Sequence, residues 1–236
     1  MDLADSPEEA EFRARVRAWL AVSLPALPWP EPVELAEKLP FWRQWQRMLF
    51  EGGYAGMSWP VEYGGQGADA KIRAVFTDEA DRAGAPERLN TVGEDFAGPT
   101  IIAFGSAEQK QRFLRPILTG DELWCQLFSE PESGSDLASL RTKAVRAEGG
   151  WRISGQKIWT SKAMEAEYVL ILVRTGVDPD DRFGGLTLFL ADLDPEHVVK
   201  RPIRKLGRNA VAVGVIGAAD VLRAQVECVV DRSLAA

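Results

Sequence analysis

The hydrophobic pattern of this chain changes period once, near Gly120, and that change limits its possible folds more than any other feature. Before Gly120 apolar residues recur at helical intervals, and after it they alternate as in strands, which implies the α+β class. Ser6 and Glu9 form a capping box with Pro7 at the first helical position, and Phe12, Val16, Trp19 and Leu20 follow on one face. That helix is expected to stop before Pro25, ahead of a stiff extended linker carrying Pro25, Pro28, Pro30 and Pro32. Leu35, Leu39, Trp42, Trp45 and Leu49 restore a helical stripe ending near Gly52-Gly53, kinked or divided at Pro40. Ile72, Val75, Phe76, Glu79, Ala80 and Ala83 mark a helix closing at Gly84, and a second box, Ser106 to Gln109, opens one closing at Gly120. Residues 1–120 therefore read as an N-terminal helical bundle.

Residues 121–236 read as a β-barrel or sheet domain. Thr142 to Glu148 and Trp151 to Ser154 flank Gly149-Gly150, a two-residue hairpin signal. Tyr168 to Arg174 and Leu186 to Asp192 are β-rich runs separated by the Asp/Pro/Gly loop 178–185, and the valines between Arg208 and Ala236 suit one or two last strands. With 236 residues and 46% hydrophobic content the chain has room for two modest cores.

Charge and composition exclude several roles. Lys plus Arg number 28 against 35 Asp plus Glu, and the net charge of −7 argues against nucleic acid or an anionic membrane as the main partner, while leaving room for a locally bound anion. The start, Met1 to Asp5, is acidic and unlike a signal peptide, and the longest apolar stretches are too short for membrane insertion, so a cytoplasmic protein is expected. Cys125 and Cys228 are far apart in apolar strands and read as small packing residues rather than a disulfide or metal framework. His197 is the only histidine, with no second one for a metal site or a triad, so no metal is expected. Glu94-Asp95, Asp78 and Asp81 read as solvated faces, as does the basic cluster Arg201, Arg204, Lys205 and Arg208. Gly64-Gly65-Gln66-Gly67 lacks the strand-to-helix context of a phosphate cradle.

Two segments carry chemistry. In the first, the strand-like run Trp124 to Ser129 enters a polar turn, Glu130-Pro131-Glu132-Ser133-Gly134-Ser135-Asp136, in which Pro131 sets one backbone angle and Gly134 permits others. In the second, Gly155-Gln156-Lys157-Ile158-Trp159-Thr160-Ser161, an indole and two hydroxyls sit on a short strand. Such a set suits a planar, electron-poor ring that needs an apolar wall and hydrogen bonds at its edge, and a flavin is such a ring.

In this order, preceded by Ser106 to Leu114, Pro116 to Asp121 and the loop Trp59 to Gly67, the motifs resemble the acyl-CoA dehydrogenase family over roughly residues 10 to 206. The resemblance implies FAD as cofactor and α,β-dehydrogenation of an acyl-CoA thioester, in which a carboxylate takes the α-proton and the β-hydrogen leaves as hydride to flavin N5. It aligns Gln126, Phe128 and Ser129 with the strand along the ring, Trp159 with the tryptophan packed at the flavin, and Ser161 with the hydroxyl near N5. Ser135 aligns with a serine that contacts the CoA portion of substrate; its alternative role is to cap the following turn. Thr160 is expected to point the opposite way, and Glu130 and Asp136 to fix the turn through backbone bonds.

Family members carry a helical bundle, a β domain and a C-terminal four-helix bundle. The resemblance covers the first two, with no match to the third, where the catalytic glutamate of most members lies. It therefore assigns no catalytic residue to this chain and implies a partner-dependent subunit. The implied homo- or hetero-oligomer serves lipid metabolism such as fatty acid beta-oxidation, with electron-transfer flavoprotein or a similar acceptor. The alternatives are a non-catalytic flavin-fold scaffolding subunit and a truncated remnant.

Overall fold

The computed structural model describes residues 4–148, 150–203, 213–218 and 227–231. By contacts the chain divides into two compact units, Met1–Glu94 with Leu114–Asp121, and Asp95–Phe113 with Glu122–Ala236.

The first unit is helical. Helix α1 (Pro7–Ser23) starts at the expected capping box, with Ser6 accepting from the Glu9 amide and the Glu9 carboxylate accepting from the Ser6 amide at 2.7 Å. It ends at Ser23, and Pro25 sits inside a 3-10 turn, Leu24–Ala26, so the proline-rich linker is not extended from its first residue. Helix α2 (Leu35–Glu51) runs through Pro40 without dividing. Pro40 has no amide to bond the Ala36 carbonyl one turn back, yet the helix carries on past it and buries Phe41, Trp42, Trp45 and Leu49, packing that offsets the lost bond. Helix α3 (Ala70–Arg82) is capped by the Asp69 carboxylate, which accepts from the amides of Lys71 and Ile72, each at 2.9 Å. Trp19, Trp45, Tyr54 and Phe76 join the three helices through ring contacts, among them Trp19–Tyr54 at 4.6 Å and Tyr54–Phe76 at 5.0 Å.

Glu94 departs from its expected solvated place: it is 1% exposed. Its carboxylate accepts from Gln46 Nε2 at 2.8 Å and the Gly56 amide at 2.7 Å, and its carbonyl accepts from Trp59 Nε1 at 2.8 Å. A buried carboxylate is tolerable because donors surround it, and here it organises the Gly53–Gly67 loop. In that loop a Cβ on Gly65 would stand 2.1 Å from the Trp59 carbonyl and 2.6 Å from that of Gly56, so the backbone approach excludes any side chain.

A π turn, Gly93–Ala97, leads into α4 (Gly98–Phe104), neither of which the sequence pattern announced. Helix α5 (Ala107–Thr119) begins at the second expected capping box, Ser106 with Gln109. Its last turns belong to the first unit, where Ile117 and Leu118 are buried and the Ile117 carbonyl accepts from Asn90 Nδ2 at 2.9 Å.

The second unit is built on an eight-stranded sheet: β1 (Trp124–Leu127), β2 (Lys143–Ala147), β3 (Gly150–Ser161), β4 (Tyr168–Arg174), β5 (Leu186–Asp192), β6 (Val199–Pro202), β7 (Val213–Ala218) and β8 (Glu227–Asp231). The order is β6-β7-β3-β2-β4-β5-β8, with β1 parallel to β4. Ala147 pairs with Gly150, so the β2–β3 hairpin turns one residue earlier than Gly149-Gly150, and β3 continues from there through the whole second motif. Cys125, Leu127, Ile153, Val169, Ile171, Val173 and Phe189 form the core, with Trp151 edge-on to Phe189 at 5.2 Å. Burial pushes the Cys125 thiol up to about 12, as suits an inert packing residue. Of the expected basic cluster, Arg201 is exposed on β6, and Arg204, Lys205 and Arg208 lie outside the described residues.

Candidate flavin-binding site

The two chemical motifs meet because β3 breaks its own ladder. Lys157 pairs with Ile216 of β7 and Thr160 with Gly214, so three steps along β3 face two along β7, and one extra residue bulges out. At that bulge the Ile158 amide donates to the Ser129 carbonyl at 2.9 Å, beyond the end of β1. Directly before it, Lys157 Nζ donates to the Phe128 carbonyl at 2.9 Å. The end of the strand-like run in the first motif is thus hydrogen-bonded to the middle of the second.

The bulge also decides which side chains face outward. Trp159 has a φ of 61°, a conformation that costs a bulky non-glycine residue on the order of 1 kcal/mol or more. Its indole is 65% exposed, Ser161 is exposed, and Thr160 between them is 2% exposed. The expected opposition of Thr160 to its neighbours is therefore present. A backbone outlier that holds a large apolar ring in solvent is a feature that recurs at ligand-binding sites.

On β1, Gln126 is half-buried and its Oε1 is closed to water with no hydrogen-bond partner; the Thr160 hydroxyl is in the same condition. A buried polar atom without a protein partner needs water or a further group to satisfy it. Phe128 and Ser129 are half-buried at the strand end. Gln126 is on β1, Phe128 and Ser129 follow its end, and Ser129 is bonded into the stretch bearing Trp159 and Ser161. An exposed indole and an exposed hydroxyl two residues apart are of the kinds that suit the face and edge of an isoalloxazine.

Ser135 is exposed in the turn, beyond the mutual backbone hydrogen bonds of Glu130 and Ser133 at 2.7 and 3.1 Å. The following 3-10 turn, Leu137–Ser139, has Asp136 at its N-cap and no side-chain cap bond; Ser133 and Ser139 each donate to the Asp136 carbonyl at 2.8 Å. The Asp136 carboxylate pairs with Arg182 of the 178–185 loop, which ties that loop to the turn.

Sequence reasoning did not single out Lys157. It is 2% exposed and forms an ion pair with Glu130, itself 9% exposed, at 3.0 Å. The Glu130 carboxylate also accepts from the Arg141 amide at 2.7 Å and the Thr142 amide at 2.9 Å. Burial works to raise the Glu130 carboxyl, but the bonds from Thr142, Arg141 and Lys157 outweigh it and hold it below the ordinary carboxylate value. Burial lowers the Lys157 ammonium, opposed by the carboxylate beside it. With three donors on it, Glu130 is committed to structure and is not a free base. A cleft of about 380 Å³ opens beside this pair, between the Glu130–Ser133 turn, Ser139–Thr142 and Gly155–Gln156, and it borders Glu130 rather than Trp159.

Residues 6–121 match the family model described as acyl-CoA dehydrogenase, N-terminal domain, and residues 125–221 that of the middle domain. The chain is 42% identical over 209 residues to the acyl-CoA dehydrogenase IpdE1 of Mycobacterium tuberculosis, covering 85% of this chain and 53% of that protein. Among solved structures it is similar to the ChsE4-ChsE5 complex from Mycobacterium tuberculosis, with a TM-score of 0.80 and 32% identity over 98% of this chain and 58% of that one. It is likewise similar to the Tcur3481-Tcur3483 steroid ACAD, with a TM-score of 0.78 and 33% identity over 98% of this chain and 59% of that one. The chain spans about half the length of the curated relatives it matches.

Proposed function

This chain belongs to the acyl-CoA dehydrogenase family, and from that premise we propose that it is the flavin-holding part of an FAD-dependent acyl-CoA dehydrogenase whose base comes from outside these residues. The observation that carries the reading is the Ile158–Ser129 hydrogen bond at 2.9 Å, which joins the two motifs at the bulge that exposes Trp159.

In this reading Gln126, Phe128, Ser129, Trp159 and Ser161 hold the cofactor, and Ser135 meets the CoA portion of the substrate. When bound, FAD supplies the two-electron acceptor for the β-hydrogen of the acyl thioester. Trp159 provides an apolar face that excludes water from one side of the ring, and Ser129 and Ser161 provide hydrogen bonds at its edge. Thr160, buried and paired with Gly214 of β7, closes the bulge. The α-proton needs a carboxylate, and Glu130 is occupied by its three donors. In this reading the base comes from another segment or chain, which the heteromeric names of both structural relatives support. An electron-transfer flavoprotein or similar acceptor reoxidises the flavin.

Titration of the purified chain with FAD tests the cofactor assignment. Binding that perturbs the flavin absorbance, and that weakens at least tenfold, about 1.4 kcal/mol, in Trp159→Ala but not in Arg15→Ala on the exposed face of α1, is the expected result. Equal effects of the two substitutions contradict the site.

A further inference from the structure

Phe128 and Ser129 leave β1 with carbonyls that are taken by consecutive residues of β3, the Lys157 ammonium and the Ile158 amide, each at 2.9 Å. The same ammonium meets Glu130 at 3.0 Å, and the Glu130 carboxylate accepts the amides of Arg141 and Thr142 at the entry to β2. One buried pair therefore joins the end of β1, the approach to β2 and β3 immediately before its bulge. We propose that Glu130 and Lys157 are the positioning clamp of the site, holding the Phe128–Ser129 edge against the Ile158–Trp159 bulge without touching the cofactor. The functional half of this inference rests on the flavin assignment above; the structural half does not.

The physical argument is directional. The bulge interrupts the β7 ladder between Lys157 and Thr160, so that side of β3 does not hold Ile158 and Trp159 in place. Their position is set instead from the β1 side, by two donors aimed at two successive carbonyls. Hydrophobic contact is non-directional and would leave the aim of those carbonyls free, whereas an ammonium shared between a carbonyl and a carboxylate fixes both. Removing the ammonium leaves a largely buried carboxylate and a carbonyl each short of a donor, and the local backbone is expected to shift to satisfy them.

Hydrogen exchange of the full chain tests the clamp without any cofactor. In Lys157→Met the Ile158 amide is expected to exchange at least tenfold faster than in the wild type, and those of Arg141 and Thr142 likewise, while the β4–β5 ladder keeps its protection. FAD titration of the same variant is expected to show at least tenfold weaker binding and an altered flavin absorbance band, and Lys157→Arg to recover part of both. Should Lys157→Met fail to fold, Glu130→Gln, which keeps the shape and an acceptor, carries the same measurements. Unchanged exchange at Ile158, or a uniform rise across Ile158 and the β4–β5 ladder, overturns the clamp, the second outcome making the pair a general stabiliser. A wild-type chain that takes up no FAD overturns the flavin assignment instead, and Ile158 exchange then decides the clamp alone.

Discussion

At the scale of single residues, charge placement follows hydrogen-bond supply rather than residue type. Glu94 and Glu130 are acidic residues in polar-looking text, and both are buried because backbone amides and side-chain donors converge on them. Nothing in the spacing of either motif announces those donors, which come from segments distant in sequence. Glu79 is a third case: 4% exposed on α3, it accepts from Arg17 at 2.9 Å twice and from Arg13 at 2.9 Å. Arg17 first and Arg13 second hold its carboxyl below the ordinary value of 4.5. A carboxyl lowered on folding contributes stability that is complete above about that ordinary value and is lost as pH falls through the lowered one. The melting temperature of the chain is therefore expected to drop on acidification below about pH 4.5, and Glu79→Gln is expected to be less stable at neutral pH with a flatter acid limb, read by circular dichroism. A parallel acid limb in Glu79→Gln would assign the loss to other carboxyls.

At the scale of elements, the capping boxes at Ser6 and Ser106 and the runs Tyr168–Arg174 and Leu186–Asp192 were legible, because caps and alternation are local. The π turn and α4 were not, since Gly93, Gly98 and Pro99 break the local pattern and neighbouring packing supplies the helix. The second motif read as a short strand of its own and is the later half of a 12-residue strand. Its first residue shows why a glycine starts it. A Cβ on Gly155 would stand 2.3 Å from Thr142 Oγ1 and 2.8 Å from Thr142 Cα, where β3 runs against the stretch entering β2. Gly155→Ala is expected to cost on the order of 2–3 kcal/mol, measured as a lowered urea midpoint with an unchanged slope. A cost near zero would mean that β2 and β3 separate freely at this point.

At the scale of the whole molecule, the helical and sheet parts account for about half the length of the relatives, and Glu130, the buried carboxylate beside the bulge, is held by three donors. With FAD and an acyl-CoA, dye-coupled turnover by this chain alone is expected to lie roughly 10²–10⁴ below that seen once a helical segment or partner carrying the base is supplied. Equal turnover in both conditions would place the base within these residues. What the sequence determined unaided is what depends on neighbours along the chain: the change of period at Gly120, the helix starts, and two motifs whose residue types suit an electron-poor ring. The tertiary structure alone decided that β3 gives up its β7 partner to bond Ser129, that Trp159 is thereby turned into solvent, and that Lys157 and Glu130 are buried together. Those outcomes depend on hydrogen bonds between segments far apart in sequence, and a donor's partner across space leaves no periodic trace in the text.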